Sequence, residues 1–107
     1  MIHNLVKKLG SIIADITMKP EFDGGRHCGF WTNYRPHLTP IGTEDYLGGT
    51  VIGVPESEPV LPGTTRTVEF GFMYPTLDYS QLSVGARFEI REGPKAVGEG
   101  FVTKRLV

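Results

Sequence analysis

The feature that most constrains the fold of this 107-residue sequence is a strand–turn–strand pattern in residues 85–100. Phe88 and Ile90 alternate with charged residues, which is the period-2 pattern of a strand with one buried face. The Glu-Gly-Pro-Lys segment that follows is typical of a tight turn, in which Gly93 can adopt a positive φ. Two glycines in the second strand leave one face without side chains, which predicts a close approach by another backbone. These residues therefore predict a β-hairpin.

The rest of the chain contains further short segments of the strand type, separated by turn residues. The clearest of them, residues 64–73, places Val68, Phe70 and Phe72 on one side. Other strands or extended segments are predicted at residues 11–19, 27–34, 35–39 and 50–54. About six strands at short spacing predict an all-β domain that forms a six-stranded antiparallel β-barrel. The residues predicted to face its interior are Val68, Phe70, Phe72, Phe88 and Ile90.

The composition agrees with one turn-rich β domain. Hydrophobic residues make up 39% of the chain and charged residues 21%, and there are 14 Gly and 8 Pro, a mix that disfavours a disordered chain. A chain of this length is one domain, which we place at residues 11–107. Residues 1–10 are an N-terminal extension, where apolar residues on one face predict a short helix that ends at Gly10.

Charge and cysteine content limit the functional classes. The formal net charge is −1, so any contact with RNA has to come from a local basic patch. The lone Cys28 cannot form an internal disulfide, which favours a reducing compartment, and we expect a cytoplasmic protein. No apolar run approaches the length of a membrane span, and residues 1–10 lack the long apolar stretch of a secretory signal.

Several short motifs occur in the order found in the C-terminal, third β-barrel domain of elongation factor Tu, which the sequence resembles over residues 10–106. Besides the hairpin, the motifs are Gly24-Gly25-Arg26-His27, Tyr34-Arg35-Pro36, Asp45-Tyr46-Leu47-Gly48 and Leu61-Pro62-Gly63. Each motif alone is weak, but their shared order is specific for this domain family. The resemblance implies the same six-stranded antiparallel barrel, here as a chain of its own.

The resemblance also implies a non-catalytic binding module. In the family, GTP is bound by a separate domain, and this sequence has no Gly-x-x-x-x-Gly-Lys-Ser/Thr loop to hold phosphates. We therefore expect no GTP binding, no enzymatic activity and no cofactor. The family's domain contacts tRNA, the nucleotide-exchange factor and the GTPase domain. The implied partners are thus tRNA, bound weakly, or a translation-factor protein, and the oligomeric state stays open.

Five residues are candidates for RNA or partner binding. By the resemblance, Arg26 and His27 lie on the surface that meets the T stem of aminoacyl-tRNA, where an arginine can fork onto a phosphate. His37 stands where the family has a glutamine, and Gly93 keeps a glycine whose backbone approaches RNA. Arg91 belongs to a basic set on the last hairpin. The other members of that set are Arg87, Lys95, Lys104 and Arg105.

Each candidate has a structural alternative. Arg26 can pair with a local carboxylate such as Asp23, and His27 can pack under its loop. The basic set can pair across strands with acidic residues, which is the commoner arrangement on a solvated sheet. The acidic residues in question are Glu89, Glu92 and Glu99. Phe30, Trp31 and Tyr34 can stack on bases, although such residues more often fill a core.

Two functions fit these residues: a module that docks on RNA or protein, and a diverged structural or regulatory protein-interaction domain without RNA binding. Leu47, Tyr74 and Pro94 depart from the family's RNA-binding pattern, which favours the second. The surface potential around the candidate cations discriminates between them, since a continuous positive surface favours RNA and a neutralised one favours protein. His27, Cys28 and His37 lack the number and spacing of a zinc ligand set, so we expect no metal.

Overall fold

The computed structural model describes residues 9–107 and shows a closed six-stranded antiparallel β-barrel. The strands are β1 (Ser11–Met18), β2 (His37–Pro40), β3 (Leu47–Ile52), β4 (Thr65–Phe72), β5 (Arg87–Glu92) and β6 (Lys95–Leu106). Around the barrel they follow the order β1-β4-β3-β2-β5-β6, with β6 returning to β1. The predicted all-β barrel is confirmed. Most of the helix predicted within residues 1–10 lies outside the described residues, which begin at Leu9.

The barrel interior is filled by alternate residues of each strand, as the sequence pattern predicted. All five predicted inward-facing residues are buried, with exposures of 0–2%. The rings of Phe70 and Phe88 meet edge to face, with centroids 6.1 Å apart, at the centre of this core. On β1, Ile12, Ala14 and Ile16 face the same interior. Apolar burial by every strand explains why the sheet closes on itself rather than remaining open.

The glycines of β6 create space that neighbouring side chains fill. Gly100 lies directly opposite Phe88, and a Cβ at Gly100 would approach the Phe88 ring to 2.4 Å. At Gly98 a Cβ would meet both the Sδ atom of Met18 and the carbonyl oxygen of Thr17. The predicted close approach of a backbone therefore holds at Gly98, whereas an aromatic ring occupies the space at Gly100.

Two local predictions were wrong. The extended segment predicted at residues 27–34 is a loop, whose only ladder contact is an isolated bridge between Phe30 and Val60. The loop turns because Asn33 has a φ of 78° and the Tyr34 amide donates to the Trp31 carbonyl oxygen. The strand predicted at residues 50–54 begins earlier, at Leu47, and ends at Ile52.

The connection between β4 and β5 is held to the barrel by Tyr79. Its buried hydroxyl donates to the carbonyl oxygen of Gly48 at 2.6 Å and accepts from the amides of Met73 and Tyr74. Its ring stacks on Phe72, with centroids 4.2 Å apart. This connection thus has its own anchor, which positions Tyr74 beside β3. Among the described residues, no helix is long and apolar enough to cross a membrane.

Candidate binding surface around the end of strand β5

Four of the five candidate residues meet around the end of β5. His37 on β2 is the direct register partner of Arg91 on β5. Gly93 follows in the β5–β6 turn with a φ of 61°, the left-handed conformation expected there. Arg26 reaches the same strand end from the loop after the 3-10 turn Glu21–Asp23, because its guanidinium pairs with Glu92. The fold therefore assembles residues that are far apart in sequence.

The first group of side chains at this end, the Arg26 cluster, consists of Arg26, Tyr34 and Glu92. Oε2 of Glu92 accepts hydrogen bonds from Nη1 of Arg26 and from the Tyr34 hydroxyl. The Arg26 guanidinium lies over the Tyr34 ring, 4.4 Å from its centroid, and its Nε donates to the Cys28 carbonyl oxygen. Only 20% of the Arg26 side chain is exposed. The partner is thus Glu92 and not Asp23, the local carboxylate that the sequence suggested.

The electrostatics of the Arg26 cluster follow from these contacts. Burial raises the pKa of Tyr34 far above its usual range, and its hydrogen bond to Glu92 raises it further. Burial alone would raise the pKa of Glu92, but the hydrogen bonds from Tyr34 and Arg26 outweigh it and lower that pKa. Burial lowers the pKa of Arg26, and the pairing with Glu92 more than offsets it, so the net shift is upward. All three groups therefore keep their charge states at neutral pH.

The second group, the Arg91 cluster, consists of Arg91, Glu89, Tyr46 and His37. Arg91 donates from Nε to Oε1 of Glu89 at 2.9 Å and from Nη1 to the Tyr46 hydroxyl at 3.2 Å. The His37 and Tyr46 rings are tilted against each other, with centroids 5.3 Å apart. Arg91 also donates to the carbonyl oxygen of Pro94, which connects the cluster to the β5–β6 turn. The hydrogen bond and charge of Glu89 raise the pKa of Arg91.

His27 stands apart from both clusters. Its side chain is 86% exposed, so it does not pack under the loop, and its Nδ1 lies 2.6 Å from Oε2 of Glu21. Within residues 9–107 there are two arginine–glutamate ion pairs, Arg26–Glu92 and Arg91–Glu89, and one contact between His27 and Glu21. Each of these three candidate residues therefore has a carboxylate beside it, and both arginine charges are balanced by glutamates.

One member of the wider basic set, Arg105, is engaged within the fold. Arg105 donates to the carbonyl oxygens of Tyr79 and Leu82 and lies over the Phe72 ring, so its guanidinium supports the fold. Glu99 lies opposite Glu89, and no ion pair of Glu99 occurs within residues 9–107. Arg91 pairs with Glu89, one of the predicted partners, but the predicted cross-strand geometry was wrong, because both residues lie on β5.

Two tyrosines, Tyr46 and Tyr74, complete the surface, and the sequence did not indicate either of them as a site residue. The Tyr74 ring covers Gly48, where a Cβ would come within 2.4 Å of it. Gly48 is the register partner of His37, so Tyr74 lies beside the His37–Tyr46 ring pair. Tyr46 follows Asp45 and Tyr74 follows Met73, and neither position has a sequence signal for such a role. The pairing of β2 with β3 places both tyrosines beside His37.

The three aromatic residues of the loop separate in the structure. Phe30 is buried, and it stacks on the half-buried Tyr34 with centroids 4.4 Å apart. Trp31, by contrast, is 41% exposed, so its predicted place in the core was wrong.

No protein-family model matches the sequence.

Proposed function

We propose that this chain is a non-catalytic binding module of the kind represented by the third domain of elongation factor Tu, and that its partner is a protein. The closed six-stranded antiparallel barrel is compatible with that domain. The observation that carries the choice of partner is the pairing of Arg26, His27 and Arg91 with carboxylates.

Neutralised cations weigh against a nucleic-acid surface for a physical reason. Much of the affinity for RNA comes from the counterions that unpaired cations release from phosphates, and a carboxylate at hydrogen-bond distance competes directly with a phosphate. Protein interfaces, by contrast, are enriched in arginine and tyrosine, and polar pairs at their rim fix the orientation of a partner. Arg26 and Arg91, each stacked on a tyrosine and paired with a glutamate, fit the second description.

Weak binding of tRNA is the second candidate function. It is favoured by the aromatic surface formed by His37, Tyr46 and Tyr74, on which a base could stack. Arg35, which is exposed, adjoins this surface in sequence, and no ion pair of Arg35 occurs within residues 9–107. Because the candidate cations Arg26, His27 and Arg91 each contact a carboxylate, the affinity would be low and would decrease only shallowly with salt.

The test is a parallel titration of the chain with three probes that the resemblance supplies: the nucleotide-exchange factor, the isolated GTPase domain and aminoacylated tRNA. We expect calorimetry to show a saturable complex with one of the two proteins and only weak binding of tRNA at low salt. The Glu89→Gln and Glu92→Gln variants are a matched pair, because each removes the carboxylate that pairs with Arg91 or Arg26 and leaves the arginine in place. Tight tRNA binding by the unmodified chain, with no protein complex, would contradict the proposal.

A further inference from the structure

A single tryptophan, Trp31, projects between two clefts on the loop that precedes β2. One cleft, of roughly 260 Å³, extends from Trp31 to Arg26. The other, of roughly 510 Å³, extends from Trp31 to the Pro55–Glu56 loop. We call the second one the Trp31 cleft. Its walls are Trp31, Thr32, Asn33, Gly53, Val54, Pro55 and Glu56.

The loop that presents Trp31 is fixed to the loop after β3. The Thr32 amide and the Thr32 hydroxyl both donate to the carbonyl oxygen of Val54, and the Val54 amide donates back to that hydroxyl. The next amide, that of Asn33, donates to the carbonyl oxygen of Val51. These bonds hold both walls of the Trp31 cleft in place before any partner arrives, which reduces the entropy lost on binding.

The two sides of Trp31 differ in charge. On the smaller cleft, Arg26 is held by Glu92 and stacked on Tyr34. On the Trp31 cleft, the wall includes the acidic residue Glu56, for which no ion pair occurs within residues 9–107. A cation in the Trp31 cleft would thus meet an aromatic face and a carboxylate, whereas in the smaller cleft it would meet Arg26.

An indole face beside a carboxylate is the chemistry that recognises a guanidinium. Tryptophan is the strongest cation–π partner among the aromatic side chains, and a guanidinium can stack on a ring while it donates to a carboxylate. The molecule already shows this arrangement internally, since Arg26 stacks on Tyr34 and pairs with Glu92. Arg66 contacts the same acidic loop, but its Nη1 donates to the backbone carbonyl oxygen of Glu58 at 2.6 Å and no ion pair of Arg66 with Glu56 occurs within residues 9–107.

We propose that the Trp31 cleft is a docking site for an arginine side chain of a protein partner, stacked on Trp31 and paired with Glu56. The proposal rests on the proposed function, because it names the chemistry of the protein that binds the barrel. It places the contact on a different loop from the Arg91 cluster.

The experiment uses the whole chain labelled with ¹⁵N and two peptides that differ only in charge, Ac-Gly-Arg-Gly-NH₂ and Ac-Gly-Nle-Gly-NH₂. Since Trp31 is the only tryptophan, its indole N–H signal reports the site without assignment of other residues. We expect the arginine peptide to shift this signal saturably, with a Kd on the order of tens of millimolar for one exposed cation–π contact and one ion pair. The norleucine peptide should shift it little.

Glu56→Gln and Glu58→Gln provide the matched pair of variants. Both remove one carboxylate from the same acidic loop, but only Glu56 lies on the wall of the Trp31 cleft. We expect Glu56→Gln to weaken peptide binding about fivefold and Glu58→Gln to leave it unchanged, since a surface ion pair has a modest effect. Retained dispersion of the amide spectrum shows that each variant is folded.

Equal shifts with both peptides, or equal weakening by both variants, would overturn the proposal. Its failure is distinguishable from failure of the proposed function. Binding of the exchange factor or the GTPase domain without binding of the arginine peptide would support the proposed function and contradict the Trp31 site. Binding of tRNA alone would contradict both proposals.

Discussion

The Arg26 cluster and the Arg91 cluster contain the same three residue types, an arginine, a tyrosine and a glutamate, but they are built differently. In the Arg26 cluster the glutamate is the centre, because Glu92 accepts from both Arg26 and Tyr34, which lie in another part of the chain. In the Arg91 cluster the arginine is the centre and donates to Glu89 on its own strand and to the Tyr46 hydroxyl.

The difference determines what each cluster can do. The Arg26 cluster ties the loop before β2 to the end of β5, so its loss would remove one set of contacts that hold this loop, which also bonds to β3 and to the loop after it. The Arg91 cluster lies mostly within strands that the backbone ladder already holds together, so its side chains can respond to a partner at less cost. We infer that the first cluster serves the fold and the second serves recognition. The four predictions that follow test this division.

Removal of Glu92 should have the largest effect on stability. Glu92→Ala leaves the Arg26 guanidinium and the Tyr34 hydroxyl without their shared acceptor, and we expect a loss of about 1–2 kcal/mol in the free energy of unfolding after solvent screening. Urea denaturation measures it. Glu89→Ala is the matched control and should stay close to the unmodified chain. Equal effects of the two substitutions would remove the distinction between the clusters.

Removal of the Tyr34 hydroxyl should have the next largest effect. Tyr34→Phe keeps the ring that stacks on Phe30 and lies under Arg26, but it removes one hydrogen bond to Glu92. We expect a loss of about 0.5–1.5 kcal/mol by urea denaturation. In a double-mutant cycle, Tyr34→Phe and Glu92→Ala should be less than additive, because both remove the same bond. Full additivity would show that the bond contributes nothing.

The lowered pKa of Glu92 predicts a loss of stability in acid. The folded chain holds Glu92 ionised below its ordinary pKa of 4.5, so the unfolded state binds more protons there. The stabilisation is therefore complete above pH 4.5 and disappears as the pH falls through the lower, folded-state pKa. Thermal unfolding followed across this range should show a steeper acid decline for the unmodified chain than for Glu92→Gln. Parallel curves would mean that Glu92 is not involved.

The smallest effect concerns the affinity for RNA. Glu89→Gln frees the charge of Arg91 while the strand keeps its register. We expect the slope of log affinity for tRNA against log salt to become steeper by about one unit, since one more phosphate contact becomes available. Filter binding across a salt series measures it, with Glu58→Gln as a charge-matched control away from β5. An unchanged slope would show that Arg91 does not face the RNA.

The barrel was predictable from the sequence, and the candidate site only in part. The alternation of Val68, Phe70 and Phe72 depends on local geometry alone, because the side chains of a strand point to opposite faces at every step. The ion-pair partner of Arg26 was not predictable, since Glu92 lies 66 residues away and meets it only when the barrel closes. Trp31 was misplaced for the related reason that its loop leaves the strand pattern at Asn33.

The sequence by itself determined the all-β class, the inward-facing residues of β4 and β5, and the presence of a tight turn at Gly93. Each of these depends on residues within a few positions of one another. Only the tertiary structure decided that Arg26, His27 and Arg91 each have a carboxylate beside them and that the exposed Trp31 lines one cleft together with Glu56. Strand register brings residues from distant positions together, and these neighbours decide whether a charge is free or paired. The local sequence does not determine that register.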